Sequence, residues 1–197
     1  GSGTTYSFDL TPSGQGAVTV QVPGGSALDA ASNPNTASNL FSITYDSVSP
    51  TVTIEQAAGQ SDPTSNSPIN FTVTFSEDVT DFDDAADVTL GGGAGATTAV
   101  ITGGPAIYNV AVSGMTSGGT VIAGIPASGA VDAAGNLNDA SSSSDDTVTY
   151  IPDPTPPETS IDSHPTNPTS STSAAFTFSG TDNLTPAGSL TFECQLD

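Results

Sequence analysis

Short runs in which branched or aromatic residues alternate with Thr, Ser, Asn or Asp recur along the chain, and each run stops at a cluster of Gly, Pro, Asn or Asp. A period of two puts alternate side chains on one face of a strand, while Gly, Pro and Asn punctuate turns. This pattern predicts strands near 51–55, 69–76, 86–90, 97–102, 107–112, 119–125 and 146–150. Phe71, Val73 and Phe75 share one face, as do Tyr108, Val110 and Val112, and both sets are assigned to a core. The breaks include Asn66-Ser-Pro68, Gly91-Gly-Gly93, Gly103-Gly-Pro105 and Ser117-Gly-Gly119. Seven short strands with regular turn punctuation predict a two-sheet sandwich. The longest apolar runs are far too short to span a bilayer, so no membrane insertion is expected.

The pattern also repeats. Tyr6-Ser-Phe-Asp-Leu10 matches Tyr108-Asn-Val-Ala-Val112, and Val18-Thr-Val-Gln-Val-Pro23 matches Val121-Ile-Ala-Gly-Ile-Pro126. Leu28-Asp-Ala-Ala-Ser-Asn33 matches Val131-Asp-Ala-Ala-Gly-Asn136, with Asn35 and Asn138 agreeing beyond it, and Ser42-Ile-Thr-Tyr45 matches Thr147-Val-Thr-Tyr150. The offsets rise from 102 through 103 to 105, as small loop insertions accumulate. A fainter echo relates Pro50-Thr-Val-Thr-Ile54 to Pro156-Pro-Glu-Thr-Ser-Ile161, and the Phe71–Ser76 run to Phe176-Thr-Phe-Ser179. The chain therefore divides into the back half of one unit (1–46), a complete unit (47–151) and the front part of a third (152–197). A period near one hundred residues is that of a β-sandwich domain and exceeds that of helical solenoid repeats. Asp46-Ser-Val-Ser-Pro50 is a short joint, and Pro152-Asp-Pro-Thr-Pro-Pro157 an extended, semi-rigid one. Such joints predict an extended rod.

Charge narrows the partners. The 197 residues hold no Lys or Arg and 21 Asp plus Glu, a formal charge of −21. A chain with no cationic side chain cannot neutralise phosphates, so nucleic acid and anionic membrane surfaces are excluded as partners. The surplus carboxylates suit divalent cations and also keep an exposed polymer soluble.

Val73-Thr-Phe-Ser-Glu-Asp-Val79, Asp87-Val-Thr-Leu-Gly-Gly92 and Val131-Asp-Ala-Ala-Gly-Asn136 together resemble the bacterial immunoglobulin-like domains strung in tandem along large cell-surface and secreted proteins. Leu28–Asn39 and Phe41-Ser-Ile-Thr-Tyr-Asp46 repeat the resemblance, which covers roughly residues 1–155. It implies immunoglobulin-like sandwiches in tandem and an extracellular stalk, adhesin or fibre component, and it carries over no catalytic residue. Leu190-Thr-Phe-Glu-Cys-Gln-Leu-Asp197 is similar to another flavour of the family in which a second Cys soon follows. That likeness implies a small disulfide loop for Cys194; the alternative is a buried thiol.

In a seven-strand sandwich the loop after the second strand and the loop before the last share one pole, where the connector also enters. This places Glu77, Asp78 and Asp81 near Asp132, Asn136 and Asp139, with Asp46 arriving beside them. An oxygen-rich set of this kind fits Ca²⁺, which takes six to eight oxygens. The alternative is a plain turn, because Asp accepts backbone hydrogen bonds and Gly or Asn takes positive φ. The spacing also lacks the alternating Asp and terminal Glu of a helical calcium loop. Catalysis is poorly supplied: His164 is the single histidine, Cys194 the single cysteine, and there is no Trp to line a sugar cleft. The chain is therefore not expected to be an enzyme. Asn183-Leu-Thr185 is a candidate glycosylation sequon, whereas Asn70-Phe-Thr72 opens a predicted strand where a glycan would not fit. Ser141–Ser144 reads as a flexible loop insertion. The function expected is a structural repeat of an extracellular filament, self-associating head to tail through complementary part-units; adhesin repeat and spacer of a secreted enzyme are the alternatives.

Overall fold

Alternation at period two is carried into the structure almost strand for strand. The computed structural model describes residues 3–195; Gly1, Ser2, Leu196 and Asp197, which the sequence reading assigned to the outer units, lie outside the described residues. The molecule is all-β. Its strands run in the order β1 (Gly16–Val20), β2 (Phe41–Tyr45), β3 (Val52–Gln56), β4 (Ile69–Phe75), β5 (Val79–Thr80), β6 (Thr89–Gly91) and β7 (Thr98–Gly103). There follow β8 (Ile107–Ser113), β9 (Gly119–Gly124), β10 (Val131–Asp132), β11 (Thr147–Tyr150), β12 (Glu158–Ser163) and β13 (Thr177–Thr181). No helix among the described residues is long and apolar enough to cross a membrane.

The central unit holds two sheets, a four-stranded one in the order β3-β4-β8-β7 and a three-stranded one in the order β11-β9-β6, all antiparallel. Register is set by the apolar face, because a slip of one residue would turn every core side chain to solvent. Phe71 faces Val110 and Val73 faces Tyr108 across β4 and β8, while Val121 faces Val148 across β9 and β11. Phe71, Val73, Val110, Val121 and Val148 are wholly buried in one cluster, which joins the two sheets as a sandwich core. Each such side chain contributes about 2 kcal/mol by leaving water. Phe75, Phe82 and Tyr108 close one pole edge-to-face, with ring centroids 5.0 to 5.9 Å apart. The Tyr108 hydroxyl is shared between the carbonyl oxygens of Pro105 and Val79, at 3.1 and 3.3 Å.

Besides the two-residue strands β5 and β10, which fall outside the predicted strands, two local features depart from the sequence reading. Residues 85–87 form a 3₁₀ turn, and β6 begins only at Thr89. The Asp84 side chain accepts from the Ala86 N–H, and the Asp87 side chain accepts from the Asp84 N–H, so side chains satisfy the backbone locally and outcompete extension. Ser141–Ser144, read as a flexible insertion, instead belong to a strap along the free edge of β3. Asp139 N–H donates to Pro50, Ser142 N–H to Val52, Ile54 N–H to the Ser143 hydroxyl and Gln56 N–H to Asp145. Glu55 anchors the strap by accepting from the Ser144 and Asp145 amides. A strand edge left bare would invite pairing with other chains, and the strap covers it.

Gly92 and Gly119 are needed where β6 and β9 approach each other. Both take positive φ, and a Cβ on Gly92 would collide with the Thr120 carbonyl while one on Gly119 would sit 2.7 Å from Gly93.

Outside the sandwich, β1 pairs with β2 and β12 pairs with β13 as two-stranded sheets. Phe41, Ile43, Ile161 and Phe178 are exposed on them.

Candidate metal centre

Local hydrogen bonding first fixes the Asp132 carboxylate. Its Oδ1 accepts from the Ala134 and Asn136 N–H groups at 2.8 and 2.9 Å, and its Oδ2 accepts from the Asn136 side-chain amide at 2.8 Å. Gly135 takes positive φ to close the turn. Asn138 is 2 % exposed and ties the turn to the sandwich: its Oδ1 accepts from Ala130 N–H, and its Nδ2 donates to Pro126 and Asp139 carbonyls. The same atoms make the same bonds in the first unit. Asp29 accepts from Ala31 and Asn33, and Asn35 bonds Ala27, Pro23 and Thr36, each residue 103 positions earlier. The two turns differ in burial, because β10 pairs with β5 and covers Asp132, whereas nothing among the described residues covers Asp29.

Two further links bring other carboxylates to Asp132. Pairing of Asp132 with Val79 draws in the segment that follows β4, and with it Glu77. Reciprocal bonds between Thr51 and Ser76, from Thr51 N–H to the Ser76 hydroxyl and from Ser76 N–H to the Thr51 carbonyl, clamp the connector to the end of β4. Pro50 is fully buried there. Asp46 is oriented by Gln15, whose amide donates to its Oδ1 at 2.8 Å, and by the Val48 N–H at 3.0 Å. As a result one carboxylate oxygen from each of Asp46, Glu77 and Asp132 lies within 4.8 Å of the other two. Two Ca–O bonds of about 2.4 Å span the same distance, so the trio can share one calcium ion, with water filling the remaining positions.

Electrostatics mark Glu77 as the strained member. Burial pushes its carboxyl above the usual glutamate range, and the negative charges of Asp132, Asp46 and Asp78 push it further. Asp132 moves the other way: the Asn136 side-chain amide and the turn's N–H groups hold it below the usual aspartate range against the cost of burial. The pair thus combines a carboxylate whose negative charge is stabilised by hydrogen bonds with one whose charge nothing among the described residues compensates.

Of the other predicted ligands, Asp78, Asp81 and Asp139 are not in this trio, whereas Asn136 is bonded to it. Asp78 is exposed and acts on Glu77 and Tyr108 through its charge. Asp81 occupies a tight turn at φ 66° and lines a shallow hollow with Asp83 and Tyr108. Asn136 spends its amide on Asp132, and Asp139 contributes backbone groups to Pro50 and Asn138. Asn183 is exposed in the turn that Asp182 closes by accepting from the Leu184 and Thr185 N–H groups. Asn70 accepts from the Asn109 amide inside β4. Cys194 is exposed, so the buried-thiol reading is set aside. His164 is exposed and its ring nitrogen contacts the Pro165 carbonyl. Gln15, which aims Asp46, was missed because it lies outside the matched blocks, and the β5–β10 pair because two-residue strands are too short to show alternation.

No protein-family profile matches the chain, and neither a curated protein nor a solved structure matches it.

Proposed function

We propose that the chain is a structural module of an extracellular fibre or stalk, made of immunoglobulin-like sandwiches in tandem whose joint is stiffened by calcium. The observation that carries this reading is the duplicated turn, in which Asp29, Asn33 and Asn35 make the bonds of Asp132, Asn136 and Asn138. Identical local construction at a fixed offset is what stacked copies of one sandwich require. The polar residues of these loops are spent on holding turns and on the joint, which is how a load-carrying spacer uses them. At the joint, calcium shared by Asp46, Glu77 and Asp132 removes mutual repulsion and ties the connector to both loops of the pole. Resistance of the whole polymer to aggregation follows from its charge of −21.

Small-angle scattering with calcium and then with chelator tests the proposal. An elongated particle is expected, whose maximum dimension grows and whose flexibility falls when calcium is added. A compact globule, or an envelope indifferent to calcium, overturns it.

A further inference from the structure

Each strand edge of the central sandwich can be followed outward from its register. In an antiparallel pair, a residue that exchanges bonds with one neighbour turns no backbone group to the other side. Gly104 N–H donates to the Ile107 carbonyl, which sets Thr102–Asn109 and Val100–Ala111 as the bonded pairs of β7 and β8. The N–H and C=O groups of Ala99, Ile101 and Gly103 therefore face the outer edge of the four-stranded sheet. On the opposite edge, the outward groups of β3 at Val52, Ile54 and Gln56 are met by the strap. In the other sheet, Asp62 and Thr64 meet the outward groups of β11 at Thr149 and Ile151. The fourth edge, β6, is only three residues long. Among the described residues nothing bonds to the outward groups of Ala99, Ile101 or Gly103. β7 also lacks the charges and prolines that blunt a free edge: Thr98-Ala-Val-Ile-Thr-Gly103 is uncharged, and Val100 is 53 % exposed.

The surface opens beside the end of this edge. A hollow of about 240 Å³ lies between Ile101–Gly103 and Asp81–Asp83, with the buried rings of Phe82 and Tyr108 among its walls. It is smaller than the ~300 Å³ at which small-molecule sites begin, and it has room for one long side chain. Asp81 and Asp83 are exposed, and neither carboxylate accepts a hydrogen bond among the described residues. The Asp83 charge reaches Tyr108: burial holds that hydroxyl above the usual tyrosine range, and Asp78 and Asp83 push it further.

We propose that β7 is a docking edge for an extended segment of another protein, which adds antiparallel to it and lays an Arg or Lys side chain in the hollow at Asp81 and Asp83. Residues directly opposite each other share a face. The partner residue opposite Gly103 thus faces the hollow, and Gly103 has no side chain to fill it. Two positions on, an apolar partner residue covers the half-buried Ile101. Backbone bonds at Ile101 and Gly103 supply affinity, and the side chain in the hollow supplies specificity. A second copy of these residues does not fit, because they contain no Lys or Arg and would bring 21 further acidic groups.

The probe is the peptide acetyl-Arg-Thr-Val-Thr-Ser-amide, added at millimolar concentration to the whole isotope-labelled chain in chelator at low salt. Chelator keeps this edge separate from any calcium at Asp46, Glu77 and Asp132. Shifted resonances and slowed exchange are expected at the amides of Ala99, Ile101 and Gly103. In the antiparallel register the Arg, Val and Ser amides of the peptide face β7 and its Thr amides face away. N-methylation at Val should therefore abolish binding, whereas N-methylation at either Thr should leave it; these probes leave the protein itself untouched. Replacing the peptide's Arg by Glu should also abolish binding. Asp81→Asn combined with Asp83→Asn should weaken the original peptide by about 5-fold and remove its salt dependence. No shift at β7, equal loss from N-methylation at Val and at Thr, or an affinity indifferent to the two Asn substitutions overturns the proposal. So does protection of the β7 amides that grows with concentration in the chain alone, which would make a second copy the occupant.

Discussion

Single side chains decide the chemistry at the joint, and Glu77 is the one whose cost is legible. Its raised titration means that the folded chain holds the proton more tightly than the unfolded chain. Its contribution therefore favours the fold at acid pH and is lost as pH rises through the raised value. Asp132 has the opposite sign: its contribution is present above the usual aspartate range and disappears as pH falls through its lowered value. Glu77→Gln should accordingly raise the melting midpoint at neutral pH in chelator, leave it unchanged at low pH, and abolish most of the gain on adding calcium. A midpoint that falls at neutral pH would contradict this account. Asn138 carries a different burden, because its removal leaves the buried Ala130 N–H without a partner. Asn138→Ala should cost about 3 kcal/mol in a urea titration, whereas Asn35→Ala, at the half-buried counterpart, should cost below about 1 kcal/mol since water can replace the lost bonds.

At the scale of elements, the strands were legible and their guards were not. The alternation of Phe71, Val73 and Phe75 and of Tyr108, Val110 and Val112 marked β4 and β8 because burial on one face leaves a period-two imprint. The 3₁₀ turn at residues 85–87 escaped because its cause is a set of Asp side chains bonding to neighbouring amides, which leaves no periodicity. The strap escaped for a related reason: four serines read as polar filler, and only β3 beside them turns their amides and hydroxyls into edge contacts. Of the candidate site, Asp46, Glu77 and Asp132 could be placed together from strand order alone, but Asp78, Asp81 and Asp139 could not be told from them, since loop direction is set by the β5–β10 pair. Glu55 offers the test of the strap. Glu55→Ala should speed amide hydrogen exchange at Ile54, Gln56 and Asp145 while the amides between β4 and β8 stay protected. Uniform acceleration across both sheets would show that the strap is not a separate unit.

On the scale of the whole molecule, one fully covered sandwich lies between two segments that repeat parts of its pattern with their apolar faces exposed. The duplicated Asp–Asn turn, buried once and exposed once, shows how far the same local sequence can be carried by its own hydrogen bonds before tertiary packing is added. Local chemistry supplies the turn; the partner sheet supplies the burial.

The strap has a consequence for traction along the chain axis. Residues 139–145 run in the same direction as β3, and the strap leads directly into β11. A pull that enters through the connector at Pro50 and leaves beyond Tyr150 drags these two segments past each other in shear. The bonds from Asp139 to Pro50, from Ser142 to Val52 and from Gln56 to Asp145 are then loaded side by side and must rupture together, in contrast to a hairpin that unzips one bond at a time. Single-molecule stretching should show a high, single rupture for the central sandwich, and Glu55→Ala should lower that force far more than it lowers the resting stability.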